Sequence, residues 1–215
     1  MKGSREEIFE RIRSANRHTD PTGREYEYGR IERKYRQTAS MDRGGVIDCF
    51  VDRLHDYESG VFPCGEYAIA STIGSVLRSR DVREILVSAG VPAAWRPEGI
   101  SFIEDQSLSY EAIDKQGGVL TGCVIAIALT GTIVLKHVAE RRALTLIPDY
   151  HLCVVFTEQV VETVPEAIRQ ISGFQSAPLT TISGPSATAD IEMIRVKGVH
   201  GPRSLDVILV ESATT

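Results

Sequence analysis

The chain has 215 residues, enough for one domain with or without an appended segment. At this size about 70% of the unfolded surface is buried on folding, so no disulfide or metal staple is needed. It carries 24 Lys and Arg against 29 Asp and Glu, a formal charge of −5, with 42% hydrophobic and 25% charged residues. That balance argues against disorder and against a general ligand for nucleic acid, whose affinity rests on clustered basic side chains meeting phosphates.

The four cysteines, Cys49, Cys64, Cys123 and Cys153, are spaced by 15, 59 and 30 residues, and no C-x-x-C occurs. Neither a zinc ribbon nor a ferredoxin-type cluster is encoded, so no metal and no cofactor is assigned to this chain. The first residues lack the apolar core of a secretory signal. The longest apolar stretch, 123–135, is interrupted by Thr130-Gly131-Thr132 and falls short of the ~20 residues of a membrane span. A cytoplasmic protein with its cysteines buried as small hydrophobes is expected.

Charge divides the chain. Residues 1–43 hold 11 basic and 8 acidic side chains, residues 44–215 hold 13 and 21. The first segment reads as a helical arm, 1–43, preceding an α/β domain over 44–215. Ser4 with Glu7 predicts a capping box, and Ile8, Ile12 and Ala15 form one narrow apolar face. Asp20-Pro21-Thr22-Gly23 should stop that helix, and residues 24–37, nearly all charged or tyrosine, indicate structure only weakly.

From Gly44 onward helical and strand-like patterns alternate. Val46, Ile47, Phe50, Val51 and Leu54 have helical spacing, 61–64 reads as a strand, and 65–77 as a helix. Residues 85–87 form a short buried strand, 108–112 a helix, and 119–129 with 133–135 an antiparallel pair, being too close for a crossover. A strand over 152–156, a helix over 165–171 and a last strand over 205–210 follow. This order implies an α/β layer: a mainly parallel central sheet with flanking helices.

The usual dinucleotide, nucleotide-triphosphate, serine-hydrolase and zinc-protease motifs are absent. Three glycine-bearing polar clusters remain, each beside an apolar run. In Thr130-Gly131-Thr132 the glycine permits close backbone approach and two hydroxyls can donate to an anion, although a plain hairpin turn has the same composition. In the run from Ser183 through Gly184, Pro185, Ser186, Ala187 and Thr188 to Glu192, Pro185 can open a helix. The amides of Ser186, Ala187 and Thr188 would then form an anion site at its start, unless serine caps satisfy them. In Gly198-Val199-His200-Gly201-Pro202-Arg203 a tight turn carries His200, a general acid or base at neutral pH or a plain backbone-bonding residue. Lys136, His137, Arg141 and Arg142 form a basic patch that could hold an anion. Asp149 and His151 alternate on one strand face, His18 and His55 carry no partner signal, and Asp42, Asp48, Asp52 and Asp56 read as a solvated helix face.

The run Ile182-Ser-Gly-Pro-Ser-Ala-Thr-Ala-Asp-Ile-Glu192, with Gly198-Val-His-Gly-Pro202 and the strand 205–210, resembles the lactate-utilisation protein C family, whose members consist of a LUD domain. Gly122, the 126–135 hairpin and Leu146-Ile-Pro-Asp-Tyr-His151 are similar to it as well, and the close match spans 117–211. The resemblance implies a fold like that of the sugar-phosphate isomerase, CoA-transferase and formyltetrahydrofolate cyclo-ligase group. It also implies a part in oxidising L-lactate to pyruvate, with iron–sulfur clusters held by cysteine-rich partner proteins. Two positions depart from the family's pattern: Leu129 stands where an acidic residue is common, and Ala187 where a basic or polar one is.

Three functional classes follow. The chain is a lactate-system subunit holding a small anionic metabolite, with Thr130, Gly131, Thr132, Ser183, Gly184, Ser186 and Thr188 as ligand contacts, Lys136, Arg141 and Arg142 as anion contacts, and His200 as the acid or base. Alternatively it is a non-catalytic assembly or regulatory subunit, or an independent enzyme on a sugar phosphate, acyl-CoA or folate.

Overall fold

The computed structural model describes residues 3–16, 21–105, 107–137, 141–174, 177–188, 196–198 and 200–212. His18, residues 189–192 of the Ser-Gly-Pro-Ser run, and Val199 lie outside them. The chain divides into two compact units, Met1–Arg36 and Gln37–Thr215.

The smaller unit holds α1 (Ser4–Asn16) and α2 (Pro21–Arg30). Ser4 is the first helical residue, and the Glu6 and Glu7 amides donate to the Gly3 carbonyl. α1 ends at Asn16, ahead of the stretch expected to stop it, and Pro21 itself opens the second helix, where its missing N–H does no harm. Ile8, Phe9 and Ile12 are exposed, and the Arg5 and Arg13 guanidiniums lie 5.5 and 6.0 Å from the Phe9 ring centre.

In the larger unit, α3 (Arg43–Asp56) is capped by Asp42, whose Oδ1 accepts from the Gly45 amide at 2.7 Å. Asp42 thus ends the loop and does not share a wet helix face. There follow β1 (Gly60–Gly65), α4 (Ile69–Ser79), β2 (Glu84–Val87), β3 (Ser101–Glu104), α5 (Tyr110–Asp114) and β4 (Val119–Gly122). Next come β5 (Ile125–Ile127), β6 (Thr132–Lys136), α6 (Ala143–Leu146), β7 (Tyr150–Phe156), β8 (Val160–Val161) and α7 (Val164–Ile171). The chain closes with β9 (Leu179–Ser183), β10 (Ala187–Thr188), β11 (Val196–Lys197) and β12 (Ser204–Glu211).

Six strands form a parallel sheet in the order β1-β12-β7-β4-β2-β3. Strands buried on both faces are apolar almost throughout, which is why β7 and β12 read as continuous hydrophobic runs. Ile69, Ile73 and Leu77 of α4 pack on one face, against Ile85, Leu152, Val154, Ile208 and Val210. On the other, Phe50 and Leu54 of α3 join Ala126 and Ile133 of a second sheet over Cys153, Val155, Val207 and Leu209. At ~1.5–3 kcal/mol for each large side chain buried, these layers dominate the fold's stability.

The second sheet has the order β8-β5-β6-β9. Its β5–β6 pair is the antiparallel hairpin that the sequence predicts, but the apolar run 119–129 is divided. Its first half, β4, pairs with β7 in the parallel sheet, and only its second half enters the hairpin. A run without a period of two carries no sign of which sheet each part joins.

Candidate functional site

The Ser-Gly-Pro-Ser corner does not start a helix. After Pro185 and Ser186 the chain enters β10, which pairs with β11 in antiparallel fashion, so the amides read as a helix terminus are not one. The Ser186 amide donates to the Pro202 carbonyl at 2.8 Å, and the Ser186 carbonyl accepts from the Gly198 amide at 2.9 Å. The His200 amide donates to Ser186 Oγ at 3.0 Å. Three bonds therefore lock two of the sequence's polar clusters together. The Ser186 hydroxyl proton remains to be donated elsewhere.

Thr130-Gly131-Thr132 reaches the same neighbourhood from the hairpin. β6 pairs with β9 so that Thr132 faces Ser183, with 2.8 Å between Oγ1 and Oγ, and Thr130 Oγ1 is 2.7 Å from Thr132 Oγ1. Gly131 (φ +57°) and Gly184 (φ +77°) both face the end of α3: a Cβ on Gly184 would collide with the stem and ring of Tyr57, and one on Gly131 with Arg53 Cβ, 2.8 Å away, beside the Tyr57 ring at 3.1 Å. Tyr57 also donates to the Thr130 carbonyl at 3.3 Å. These glycines let the end of α3, Arg53 and Tyr57, pack against the two turns.

Between the two sheets lies a cavity of about 270 Å³. Its wall includes Thr145, His151, Ser183, Gly184, Ser186 and His200. Thr130, Gly131 and Thr132 stand outside it, and among the described residues Thr132 connects to it through Ser183. Ala187, at the position where the resembled family is commonly polar, is in the wall, whereas Leu129 sits on an exposed turn elsewhere.

The cations are used differently from one another. Arg141 makes a bidentate pair with Asp105 at 2.6 and 2.8 Å and donates to the Leu108 carbonyl, so it is not held ready for an anion in this state. Arg142 donates from Nε to Thr180 Oγ1 at 3.2 Å and has no acidic partner among the described residues. Thr180 lines the cavity. Lys136 lies away from it, at the far end of β6. Asp149 pairs with Arg203 at the surface, while His151, two residues on, is buried.

His151 is the residue whose importance the sequence does not reveal. It is 1% exposed, and its Nε2 lies 2.8 Å from Thr121 Oγ1. Burial pushes its pKa down to about 4, so the ring is neutral at pH 7. Its Nδ1 is buried without a partner among the described residues. Leaving such a nitrogen unsatisfied costs about 1–3 kcal/mol, which an occupant of the cavity able to bond it would relieve. Among the described residues, no three His, Cys, Asp or Glu side chains converge as a metal site would require.

Comparison with known proteins gives one consistent result. The family model described as LUD domain matches residues 97–210. A Deinococcus radiodurans protein named lactate utilization protein C is 42% identical over 181 residues, covering 82% of this chain and 84% of that one. A Bacillus subtilis protein of the same name is 36% identical over 127 residues, 54% of this chain and 53% of its own. Among solved structures, that of a DUF162 family protein from D. radiodurans aligns with a TM-score of 0.70 and 38% identity, over 80% of this chain and 99% of that one.

Proposed function

This chain belongs to the LUD domain family, and from that membership we propose that it serves a lactate-utilisation system by holding a small 2-hydroxy or 2-oxo acid in the cavity between its sheets. The observation that carries the reading is the unpartnered His151 Nδ1 in a wall that also presents Ser183, Ser186 and His200. The cavity suits a small organic acid, since sites for drug-sized ligands run to about 300–1,000 Å³. In this reading Arg142, beside Thr180, meets the carboxylate. Ser186 and the neutral His151 bond the 2-oxygen, and the exposed His200 exchanges protons with solvent.

Converting L-lactate to pyruvate removes two electrons and two protons. We assign the electrons to iron–sulfur partner proteins, so this chain contributes binding, orientation and proton handling. The experiment is a thermal-shift panel of L-lactate, pyruvate, sugar phosphates, CoA and folates on the full chain, with Ser186→Ala and Arg142→Gln beside it. Lactate or pyruvate at about 100 times Kd adds ~2.7 kcal/mol, a rise of roughly 5–10 °C in Tm. Both variants should blunt that rise. A response to a sugar phosphate, CoA or a folate with none to the two acids would replace this reading with that of an independent enzyme.

The exposed stripe of Ile8, Phe9 and Ile12 favours a second reading, in which the chain assembles the complex. Co-purification with the iron–sulfur partners that survives deletion of residues 1–36 would count against it.

A further inference from the structure

The neutral His151 ring carries a proton on one nitrogen and a lone pair on the other. Which nitrogen has which decides what the cavity can recognise, and the neighbouring side chains of the sheet decide it. β4 runs beside β7 with Thr121 opposite Cys153, and His151 stands two residues before Cys153 on the same face. Thr121 Oγ1 meets both, His151 Nε2 at 2.8 Å and Cys153 Sγ at 3.5 Å. The Cys153 thiol gives its own proton to the Val154 carbonyl at 3.9 Å, so its sulfur is left to accept.

A threonine hydroxyl has a single proton to place. Given to Cys153, it leaves the oxygen to accept from Nε2–H, and all three contacts are hydrogen bonds. Given to Nε2, it leaves oxygen against sulfur with no proton between them. The run from Nε2–H through Thr121 and Cys153 to the Val154 carbonyl therefore fixes the tautomer, among side chains that are all buried. In that tautomer Nδ1, unpartnered among the described residues, is an acceptor. Ser186, in the same cavity wall, accepts the His200 amide at Oγ and keeps its own proton to donate. A hydroxyl oxygen on a ligand satisfies both, accepting from Ser186 and donating to Nδ1. A carbonyl oxygen satisfies Ser186 alone and sets a lone pair against that of Nδ1.

We propose that His151 is the residue by which the cavity takes a 2-hydroxy acid in preference to the matching 2-oxo acid, with Thr121 the positioning residue that holds its ring in the Nε2–H form. The inference rests on the small-acid reading of the cavity and goes beyond it by assigning the oxidation state that binds and the side chain that selects it.

The first measurement needs no ligand: heteronuclear NMR of the histidine ring nitrogens in the full chain at neutral pH. His151 should show a protonated Nε2 and a bare Nδ1, and the opposite tautomer overturns the proposal whatever the cavity holds. The second is calorimetry with L-lactate and with pyruvate at constant ionic strength. L-lactate should bind about tenfold or more tightly than pyruvate, the loss of one buried hydrogen bond. Thr121→Val should mix the two tautomers and shrink that ratio to about threefold or less, and Thr121→Ser, which keeps the hydroxyl, should restore both. A purely structural role for Thr121 would move neither reading, so an unchanged ratio in a folded Thr121→Val protein also counts against the proposal. Equal affinity of the wild type for the two acids overturns this inference and leaves the small-acid reading standing, whereas binding of neither by about 10 mM overturns both.

Discussion

Asp206 is a charged residue within a strand that otherwise reads as apolar, and its side chain is fully buried. Arg80 forks onto both carboxylate oxygens, Tyr150 donates to Oδ2 at 3.0 Å and the Gly60 amide to Oδ1 at 3.2 Å. Burial, then the Asp206 charge, pushes the Tyr150 phenol up, so it stays a donor at any ordinary pH. Removing one partner of a buried pair typically costs 3–5 kcal/mol. Arg80 is 39% exposed and can be rehydrated, so the lower end applies. Asp206→Ala should lose about 3 kcal/mol in urea unfolding, a value near zero being contrary to the account. His151 makes a prediction in pH. Its folded value near 4 lies below the unfolded one near 6.5, so the unfolded chain takes up the proton first. Stability is therefore unaffected by this group above pH 6.5 and falls as pH drops from there to 4, by roughly 3 kcal/mol in all. His151→Gln should flatten that part of the profile. Neither residue's role is written locally: Arg80 is 126 positions from Asp206, and His151 meets Thr121 30 positions away.

Elements fared according to whether their signal is local. Helix α7, expected over 165–171, is also fixed locally: the structure closes a capping box between Thr163 and Glu166 at its start. Proline after Ser-Gly at 183–185 has the same local chemistry, yet the segment joins a β-hairpin, because the Ser186 backbone is claimed by Pro202 and Gly198. Tertiary hydrogen bonds overrode a helix-start pattern. β3 gives little notice in sequence, being four residues of mixed exposure at the sheet's edge. The polar clusters were legible as clusters. That the Thr-Gly-Thr turn sits behind Ser183 and not in the cavity depends on register, Thr132 opposite Ser183, which no single segment encodes. The glycine at 184 offers the sharpest test at this scale. A Cβ there would stand 2.5 Å from Tyr57 Cβ, on a backbone with φ of +77°. Gly184→Ala should cost about 2 kcal/mol or more and lower Tm correspondingly, and a Tm equal to wild type would mean that Tyr57 does not seal this corner.

At the scale of the molecule, the α/β order read from alternating periodicities agrees with the parallel sheet and its covering helices. What periodicity does not convey is the second sheet, which roofs part of one face and creates the space between layers. Two hollows result, one at the amino ends of β7 and β12 and one at the carboxyl ends of β2 and β4, with the Thr121–His151 bond between them. Crystals of the full chain grown without organic acids and soaked in L-lactate would examine the main assignment most directly. The account predicts difference density for a carboxylic acid between His151 and Ser186, within bonding distance of His151 Nδ1. Ordered water alone in that space, at a lactate concentration that shifts Tm, would contradict it.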